Sequence, residues 1–316
     1  MHRSTWWMVL ALGLSRPALA GGGPWVVGAG NTQLYLGFEA QRFTRLAIQV
    51  GGSRQVVGVD EGVTSFGTKA IATVGLTPAF DIEVEVPWDY VFANRTDGPV
   101  CTALGLGACR PTRGVGVLAM RAKVLAADEL AGAPVSMSLG ADLHYGGFTA
   151  KDRQRITNLG EGTLDMGLFG TVGRSGSLGT GYWNAWAEAA WRHRVPINRD
   201  YPGPVGALPV PGDELHLQAE AMFAPQLEIS VGPAVDLLWR YGGLNWDELA
   251  LGDVDRLAAL RIFTLRAGAK MSVWNGHDVS WTVGVLRTLW TVNNPSDVWV
   301  GFTGLSFSGL LHRKEP

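Results

Sequence analysis

Charge, cysteine and long apolar runs are all scarce in this chain of 316 residues. Charged residues make up 17% and the net charge is −2, so no electrostatic attraction to nucleic acid is expected. No apolar run beyond the N-terminus reaches the roughly 20 residues that a membrane-spanning helix needs. The sequence also contains no phosphate-binding loop, no His-Glu-x-x-His and no Cys-x-x-Cys. We therefore expect no cofactor, no metal and no nucleic-acid partner.

Cys101 and Cys109 are the only two cysteines, and both fall in a Gly/Pro/Thr-rich loop, residues 94–114. In an exported protein, two cysteines this close predict a disulfide that staples the loop. A metal pair or two free thiols are the alternatives. No histidine is close to the pair, whereas a structural zinc site needs four nitrogen or sulfur ligands. We assign the pair no catalytic role.

The N-terminus resembles a secretory signal, residues 1–20. A short basic start, His2 and Arg3, precedes an apolar stretch over 6–14, and Ala18-Leu19-Ala20 is a small-residue cleavage site before Gly21. An uncleaved membrane anchor is the alternative, but Arg16 and Pro17 cut the apolar stretch too short to span a bilayer. We expect cleavage after residue 20 and an N-terminal periplasmic segment over 21–30.

Strand-like alternation dominates the rest of the chain, which is rich in glycine (43) and tryptophan (13). Within residues 80–90, Phe80, Ile82, Val84, Val86 and Trp88 share one face of a strand, and acidic residues take the other. The same pattern recurs at residues 31–40, 63–75, 118–124, 135–144, 164–168, 183–192, 215–223, 227–232, 263–271, 279–285 and 298–310. About twelve strands behind an export signal predict an all-β fold, a closed antiparallel transmembrane β-barrel over residues 31–311, with a charged tail over 312–316.

The connections between these strands alternate in length. Short ones follow Gly75, Phe223 and Val273, and Asn275-Gly276 in the last of these is a preferred hairpin pair. Long ones cover 91–113, 146–161, 195–213 and 242–255, which predicts short periplasmic turns and longer extracellular loops. Aromatic residues cluster near strand ends, as belts at the two membrane interfaces would: Trp88, Tyr90, Trp183, Trp191, Trp239, Tyr241, Trp274, Trp290 and Trp299.

A soluble β-sandwich could show similar alternation. Many strands here reach nine to twelve residues, near the ten that span a bilayer when tilted and longer than the usual five or six. Strand length therefore favours the barrel.

The polar face of the strands holds the candidate functional residues. Asp81, Glu83 and Glu85 are followed in the next strand by Arg121 and Lys123, and antiparallel neighbours would pair these charges inside the barrel. They form either a charge-separated constriction that screens solutes or a salt-bridge network that fills a narrow lumen. The expected lumen-lining or solute-contacting residues are Asp81, Glu83, Glu85, Arg121, Lys123, Asp142, His144, Glu188, Arg192, His216, Glu220, Arg266 and Lys270. Asp165, Glu228 and Asp236 extend this face.

The sequence contains few candidate catalytic motifs. His144 and His216 are expected to point inward, and no Gly-x-Ser-x-Gly motif accompanies them. We therefore do not expect an enzyme, and a lipid-modifying barrel enzyme is kept as an alternative.

The hairpin around residue 80 resembles a known family. Gly75-Leu76-Thr77-Pro78-Ala79-Phe80-Asp81-Ile82, followed by Val86-Pro87, looks like a hairpin of the outer-membrane transporters of the phenol-degradation MetA pathway. Gly114-Val115-Gly116-Val117-Leu118 is similar to the start of that family's next strand, with Val117 in place of the usual acid. The resemblance covers about residues 30–145 and implies a channel-like barrel for hydrophobic compounds. It carries over no catalytic residue.

The C-terminus departs from the usual barrel pattern of a last strand with a terminal aromatic. Here Phe302 and Phe307 are followed by a charged end, Leu310-Leu311-His312-Arg313-Lys314-Glu315-Pro316. The leading hypothesis is a monomeric channel or transporter embedded in outer-membrane lipid. Its substrate would be a small solute, and the resemblance implies a hydrophobic one. A structural or surface-interaction barrel with a plugged lumen is the second hypothesis.

Overall fold

The structure is a computed structural model that describes residues 23–97, 109–146, 162–196, 212–226, 228–245, 248, 260–275 and 278–309. The signal sequence, Cys101, Gly276 and the charged tail lie outside these residues, so the predicted cleavage, disulfide and tail stay predictions. Within them, regular structure is β-strand apart from one 3-10 turn, Glu129–Ala131. In that part of the chain, no helix has the length and apolarity to span a membrane.

Fourteen strands follow one another along the described chain. In order they are β1 Thr32–Val50, β2 Ser53–Thr77, β3 Phe80–Ala93, β4 Thr112–Val115, β5 Leu118–Ala127, β6 Ser136–Tyr145, β7 Thr163–Leu178, β8 Gly181–Pro196, β9 Glu214–Gln226, β10 Ile229–Arg240, β11 Ile262–Trp274, β12 Val279–Val292, β13 Asn294–Ser296 and β14 Trp299–Ser308.

Twelve of these strands form the wall of a closed antiparallel barrel. Each pairs with its neighbours in sequence, and β1 closes the barrel by pairing with β14 from Gln33 opposite Ser308 to Arg42 opposite Trp299. The two short strands extend this wall, β4 along β3 and β13 along β1. The prediction of an all-β barrel of about twelve strands is therefore confirmed.

The short and long connections fall at opposite ends, as predicted. The chain enters and leaves the wall at the end that carries the short turns, which is the periplasmic end of such a barrel. One extracellular connection is short: Gly51 and Gly52 join β1 to β2, and both have positive φ. This hairpin continues far beyond the predicted strands at 31–40 and 63–75, since both strands run on past the membrane wall.

The outer face of the barrel is apolar and ends in aromatic belts. On β3, Val84, Val86 and Trp88 are exposed, whereas Asp81 and Asp89 on the other face are buried. Trp191, Trp239, Trp290 and Trp299 are also exposed near the extracellular ends of their strands, and Trp274 lies near a periplasmic end. A water-soluble protein rarely exposes such a band, whereas a membrane barrel requires it. Phe302 faces inward, so of the two C-terminal aromatics Phe307 alone lies on the outer row.

Candidate functional site in the barrel interior

The thirteen residues expected to line the lumen or contact a solute all lie on the inner face of the barrel. Residues one position away in sequence, such as Val84, Met120 and Leu139, are exposed on the outside. The inner residues are Asp81, Glu83, Glu85, Arg121, Lys123, Asp142, His144, Glu188, Arg192, His216, Glu220, Arg266 and Lys270. Glu228 is a correction: β10 begins only at Ile229, so Glu228 lies exposed in the preceding turn. Whether a solute contacts the inner residues stays a prediction.

The acidic face of β3 lies beside the basic face of β5. Asp81 is opposite Lys123 and Glu83 is opposite Arg121 in the strand register, as the sequence predicted. Asp81 Oδ2 and Lys123 Nζ are 3.7 Å apart. Arg121 instead donates to Glu188 Oε2 on β8, at 2.8 Å, and its guanidinium lies over the ring of Phe169, 4.0 Å from the ring centre. β8 is three wall strands from β5, so this ion pair crosses the interior.

Two further ion pairs join strands that are not neighbours, and one more charged pair joins the neighbours β9 and β10. Arg192 donates to Asp142 Oδ2 from two strands away, at 3.2 Å, and Lys270 donates to Glu220 Oε2 in the same way, at 2.8 Å. His216 Nε2 and Asp236 Oδ1 form a buried hydrogen bond of 2.6 Å between β9 and β10. Charges of both signs thus neutralise each other across the lumen.

Three further buried charges, Arg194, Glu214 and Arg240, were not predicted and lie near the extracellular end beside Asp165. Arg240 donates two hydrogen bonds to Glu214 Oε1, at 2.9 and 2.6 Å, and the buried guanidinium of Arg194 lies 3.5 Å from Asp165 and 3.6 Å from Glu214. The sequence held a signal for them: Arg194 follows Arg192 by two positions, and Glu214 precedes His216 by two. The alternation continued past the strand limits that we predicted.

The N-terminal segment, residues 23–30, lies inside the periplasmic end of the barrel. Lys123 Nζ donates to the carbonyl oxygen of Trp25 at 2.7 Å, and the backbone N–H of Val27 donates to Asp81 Oδ2 at 3.4 Å. At the periplasmic opening, the backbone N–H of Gly30 donates to the carbonyl oxygen of Gly75 at 2.9 Å. The residues predicted to form a periplasmic segment therefore contact the charges of β3 and β5 directly.

Glu129, in the periplasmic turn after β5, binds the same segment through the side chain of Trp25. Its carboxylate accepts hydrogen bonds from Trp25 Nε1, at 3.4 Å, and from the hydroxyl and the N–H of Ser175. Partial burial raises the pKa of Glu129, but the hydrogen bonds from Ser175 and Trp25 outweigh it and hold the pKa below its usual value.

A cavity of about 440 Å³ remains between the N-terminal segment and the opposite wall. Its lining is mixed: charged side chains lie among Trp25, Trp186 and Met222, and Trp186 is the register partner of Glu220. Its polar lining is formed by Gln33, Thr73, Asp81, Glu83, Lys123, Asn184, Glu220, Ser230, Lys270 and Ser272. Most drug-sized ligands occupy cavities of 300–1,000 Å³, so a small solute fits here.

An apolar cluster fills the extracellular half of the interior on the side of the β1–β2 hairpin. The hairpin bends at an irregularity between Phe43 and Arg45 and brings Leu46, Ile48 and Val59 into the barrel mouth. These side chains pack against inward residues of the wall, which are Val91, Ala234, Leu238, Ile262, Leu286, Val300 and Phe302. The hairpin thereby covers the mouth with buried apolar surface.

Tyr35 is buried together with Ile71, apart from the apolar cluster of the hairpin. Its ring is buried against the inner faces of Gly37 and Gly304, where a Cβ atom at either glycine would overlap the ring. Because these two glycines have no side chain, the aromatic ring can lie flat against the backbone of the wall.

A histidine–aspartate pair lies on the outside of the barrel, at the extracellular rim. His193 Nδ1 is 2.9 Å from Asp213 Oδ1, and half of the His193 side chain is exposed beside Trp191. A lipid-modifying barrel would require such a histidine. It would also require a nucleophile, and in the described part of the chain no serine hydroxyl bonds to this pair. The described residues also form no group of three His, Cys, Asp or Glu side chains that could hold a metal ion.

Known structures share this fold. The COG4313 outer-membrane channel from Pseudomonas putida F1 matches with a TM-score of 0.65 at 17% identity, over 91% of this chain and 98% of that one. It represents the transporter family that the hairpin around residue 80 resembles. This likeness shows the fold of an outer-membrane barrel.

More distant matches include a KdgM porin in complex with disordered oligogalacturonate (TM-score 0.44, 7% identity, 87% of this chain and 98% of that one). Another is the translocator domain of the autotransporter NalP from Neisseria meningitidis (0.41, 9%, 89% and 88%). No family model and no curated protein matches the sequence.

Proposed function

We propose that this chain is an outer-membrane channel for a small solute and that the structure is its closed state. The observation that carries the proposal is the cavity of about 440 Å³ beside the N-terminal segment, lined by charged and aromatic side chains. Side chains just fill the interior of an eight-stranded barrel and sixteen strands leave an open channel, so twelve strands give room for a cavity of this kind.

Two elements obstruct the barrel interior, the N-terminal segment and the β1–β2 hairpin. They are held by different kinds of contact, which suits a gated channel. The N-terminal segment is held by a few hydrogen bonds, to Lys123, Asp81 and Glu129, and it is not a strand of the wall. The β1–β2 hairpin covers the other end through apolar contacts. Movement of the N-terminal segment would leave the wall strands and the hydrogen bonds between them intact, so opening at this end does not require the barrel to unfold. Movement of the hairpin would separate β1 from β13, which pair from Arg45 to Ala47, but would leave the pairing of β1 with β14.

The solute class follows from the two surfaces that it would meet. A molecule entering from outside passes the apolar cluster around Leu46 and Phe302, and then reaches charges such as Glu83 and Lys270. A small amphipathic solute, with an apolar body and one polar group, satisfies both surfaces. Sugars or inorganic ions would gain nothing from the apolar side of this path, although the charges of Arg194, Glu214 and Arg240 lie near the same end.

Liposome swelling tests this function. Proteoliposomes that carry the barrel should swell faster than empty ones in small amphipathic solutes, and deletion of residues 21–27 should increase that rate. Swelling at the rate of empty liposomes for both chains would favour the plugged barrel, in which the ion pairs that cross the lumen are structural.

The rim pair of His193 and Asp213 keeps a lipid-modifying enzyme as a second candidate. The purified barrel and a His193→Ala variant, incubated with phospholipid vesicles, should release no fatty acid and show no difference. Release that is lost in the variant would make the barrel an enzyme.

A further inference from the structure

Positive charge is concentrated on the outer wall of the barrel at one sector of its extracellular rim. Arg42 of β1 and Arg287 of β12 both face outward and are exposed. Each is the register partner of the same residue, Trp299 of β14, from opposite sides. Adjacent strands lie about 4.8 Å apart, so the backbone positions of the two arginines are about 10 Å apart with the indole between them.

Two more arginines extend this row away from the membrane. Arg54, near the tip of the β1–β2 hairpin, donates to the carbonyl oxygen of Thr291 at 2.7 Å, and its guanidinium lies 4.4 Å from the centre of the Trp290 ring. Arg45 pairs with Asp297 at 2.9 Å, so its charge is balanced within this group. We call Arg42, Arg45, Arg54, Arg287, Trp290 and Trp299 the arginine patch.

An arginine on the lipid face of a membrane barrel destabilises the fold, and this free-energy cost rises steeply toward the middle of the bilayer. An arginine at this position therefore calls for a functional explanation. The outward side chains of β12 below Arg287 are Val285, Val283 and Trp281, and those of β1 below Arg42 are apolar as well. Trp299 and Trp290 mark the interface at this height. Arg42 and Arg287 have no ion pair within the described residues, so their donors are open to groups in the surrounding leaflet.

The partner at this height must be anionic and must carry an acyl part. Guanidinium groups bind phosphate through two parallel hydrogen bonds, and exposed indole rings contact sugar or acyl surface. We infer that the arginine patch binds the phosphate groups of a phosphorylated glycolipid, the lipopolysaccharide of the outer leaflet. Arg42 and Arg287 bind one phosphate group from the two sides of Trp299. Arg54, on the hairpin, binds the second phosphate group.

A lipid bound at the arginine patch would also contact the β1–β2 hairpin. Arg54 belongs to the same hairpin whose other face covers the barrel mouth with Leu46, Ile48 and Val59. A glycolipid bound at the patch would hold the hairpin against the wall from outside.

Native mass spectrometry of the full barrel in detergent tests this inference, with hexa-acylated bisphosphorylated lipid A as the probe. An Arg42→Gln/Arg287→Gln double variant should bind it about 25-fold more weakly, about fivefold for each arginine. The matched control is Arg174→Gln, which removes an outward arginine from β7 at the periplasmic end and should leave the affinity unchanged. Heat-modifiable migration on gels checks that each variant is folded.

Three results would overturn the inference: equal losses in the double variant and the control, no loss in either, or equal affinity of the native chain for phosphatidylglycerol. If the double variant does not fold, the native chain decides. It should bind the bisphosphorylated lipid at least tenfold more tightly than the dephosphorylated lipid of the same acyl chains, and equal binding would refute the assignment.

Discussion

Lys123 Nζ donates a hydrogen bond of 2.7 Å to the carbonyl oxygen of Trp25, and so a wall strand holds the N-terminal segment within the barrel. Asp81 lies 3.7 Å from the same ammonium group and accepts from the N–H of Val27. One ion pair of the wall is therefore also the principal anchor of the segment.

The first prediction concerns this anchor. Lys123→Met should free the segment, because a hydrogen bond from a charged donor contributes about 1.5–3 kcal/mol. Amide hydrogens of residues 23–31 should then exchange with deuterium at least about tenfold faster. Lys270→Met removes a lysine from the same cavity that contacts Glu220 instead, and should leave exchange in the segment unchanged. Equal exchange in both variants would deny Lys123 its anchoring role.

The second prediction concerns pH and Glu129. Its pKa in the folded chain lies below the unfolded value of about 4.3, so its contribution is complete above that value and is lost as the pH falls through the folded pKa. A spin label at Val26→Cys, with Cys101 and Cys109 replaced by serine, should gain mobility only below about pH 4. Glu129→Gln should abolish this pH step. A step near pH 6 would point to a histidine instead.

The third prediction concerns the buried and exposed ion pairs. Glu188→Gln leaves the guanidinium of Arg121 in the interior without its closest carboxylate, and should lower the free energy of unfolding by about 3 kcal/mol. Asp297→Asn breaks the exposed pair with Arg45 and should change it by less than about 1 kcal/mol. Urea unfolding in lipid vesicles measures both, and similar values for the two variants would refute the contrast.

The fourth prediction concerns the glycine beneath Tyr35. Gly304→Ala places a methyl group within the volume of the buried ring and should destabilise the barrel by about 1–3 kcal/mol. Gly301→Ala, on the same strand, meets open space and should be neutral. The same unfolding assay compares them. A neutral Gly304→Ala would mean that the ring moves aside freely.

Much of the wall could be predicted from the sequence because alternation decides which face a side chain takes. The residues from Phe80 to Trp88 gave both the lipid face and the lumen face of β3, and the register with Arg121 and Lys123 followed from adjacency in the chain. Alternation says nothing about partners across the lumen, so the pairing of Arg121 with Glu188 could not be predicted.

The two obstructions escaped prediction for a different reason. Residues 23–30 have no strand period, and nothing local shows that they turn back into the barrel. The β1–β2 hairpin does alternate, but its inward bend depends on the irregularity at Phe43 and on distant partners such as Leu238 and Val300. Loop length alone also failed there, because the Gly51–Gly52 turn is short although it lies outside.

Single-channel conductance in planar bilayers tests the central claim most directly. The native chain should show small or rare openings, and a chain that lacks residues 21–27 should show larger and longer ones at the same voltage. The absence of conductance from both chains at every voltage would contradict the account and leave a structural barrel.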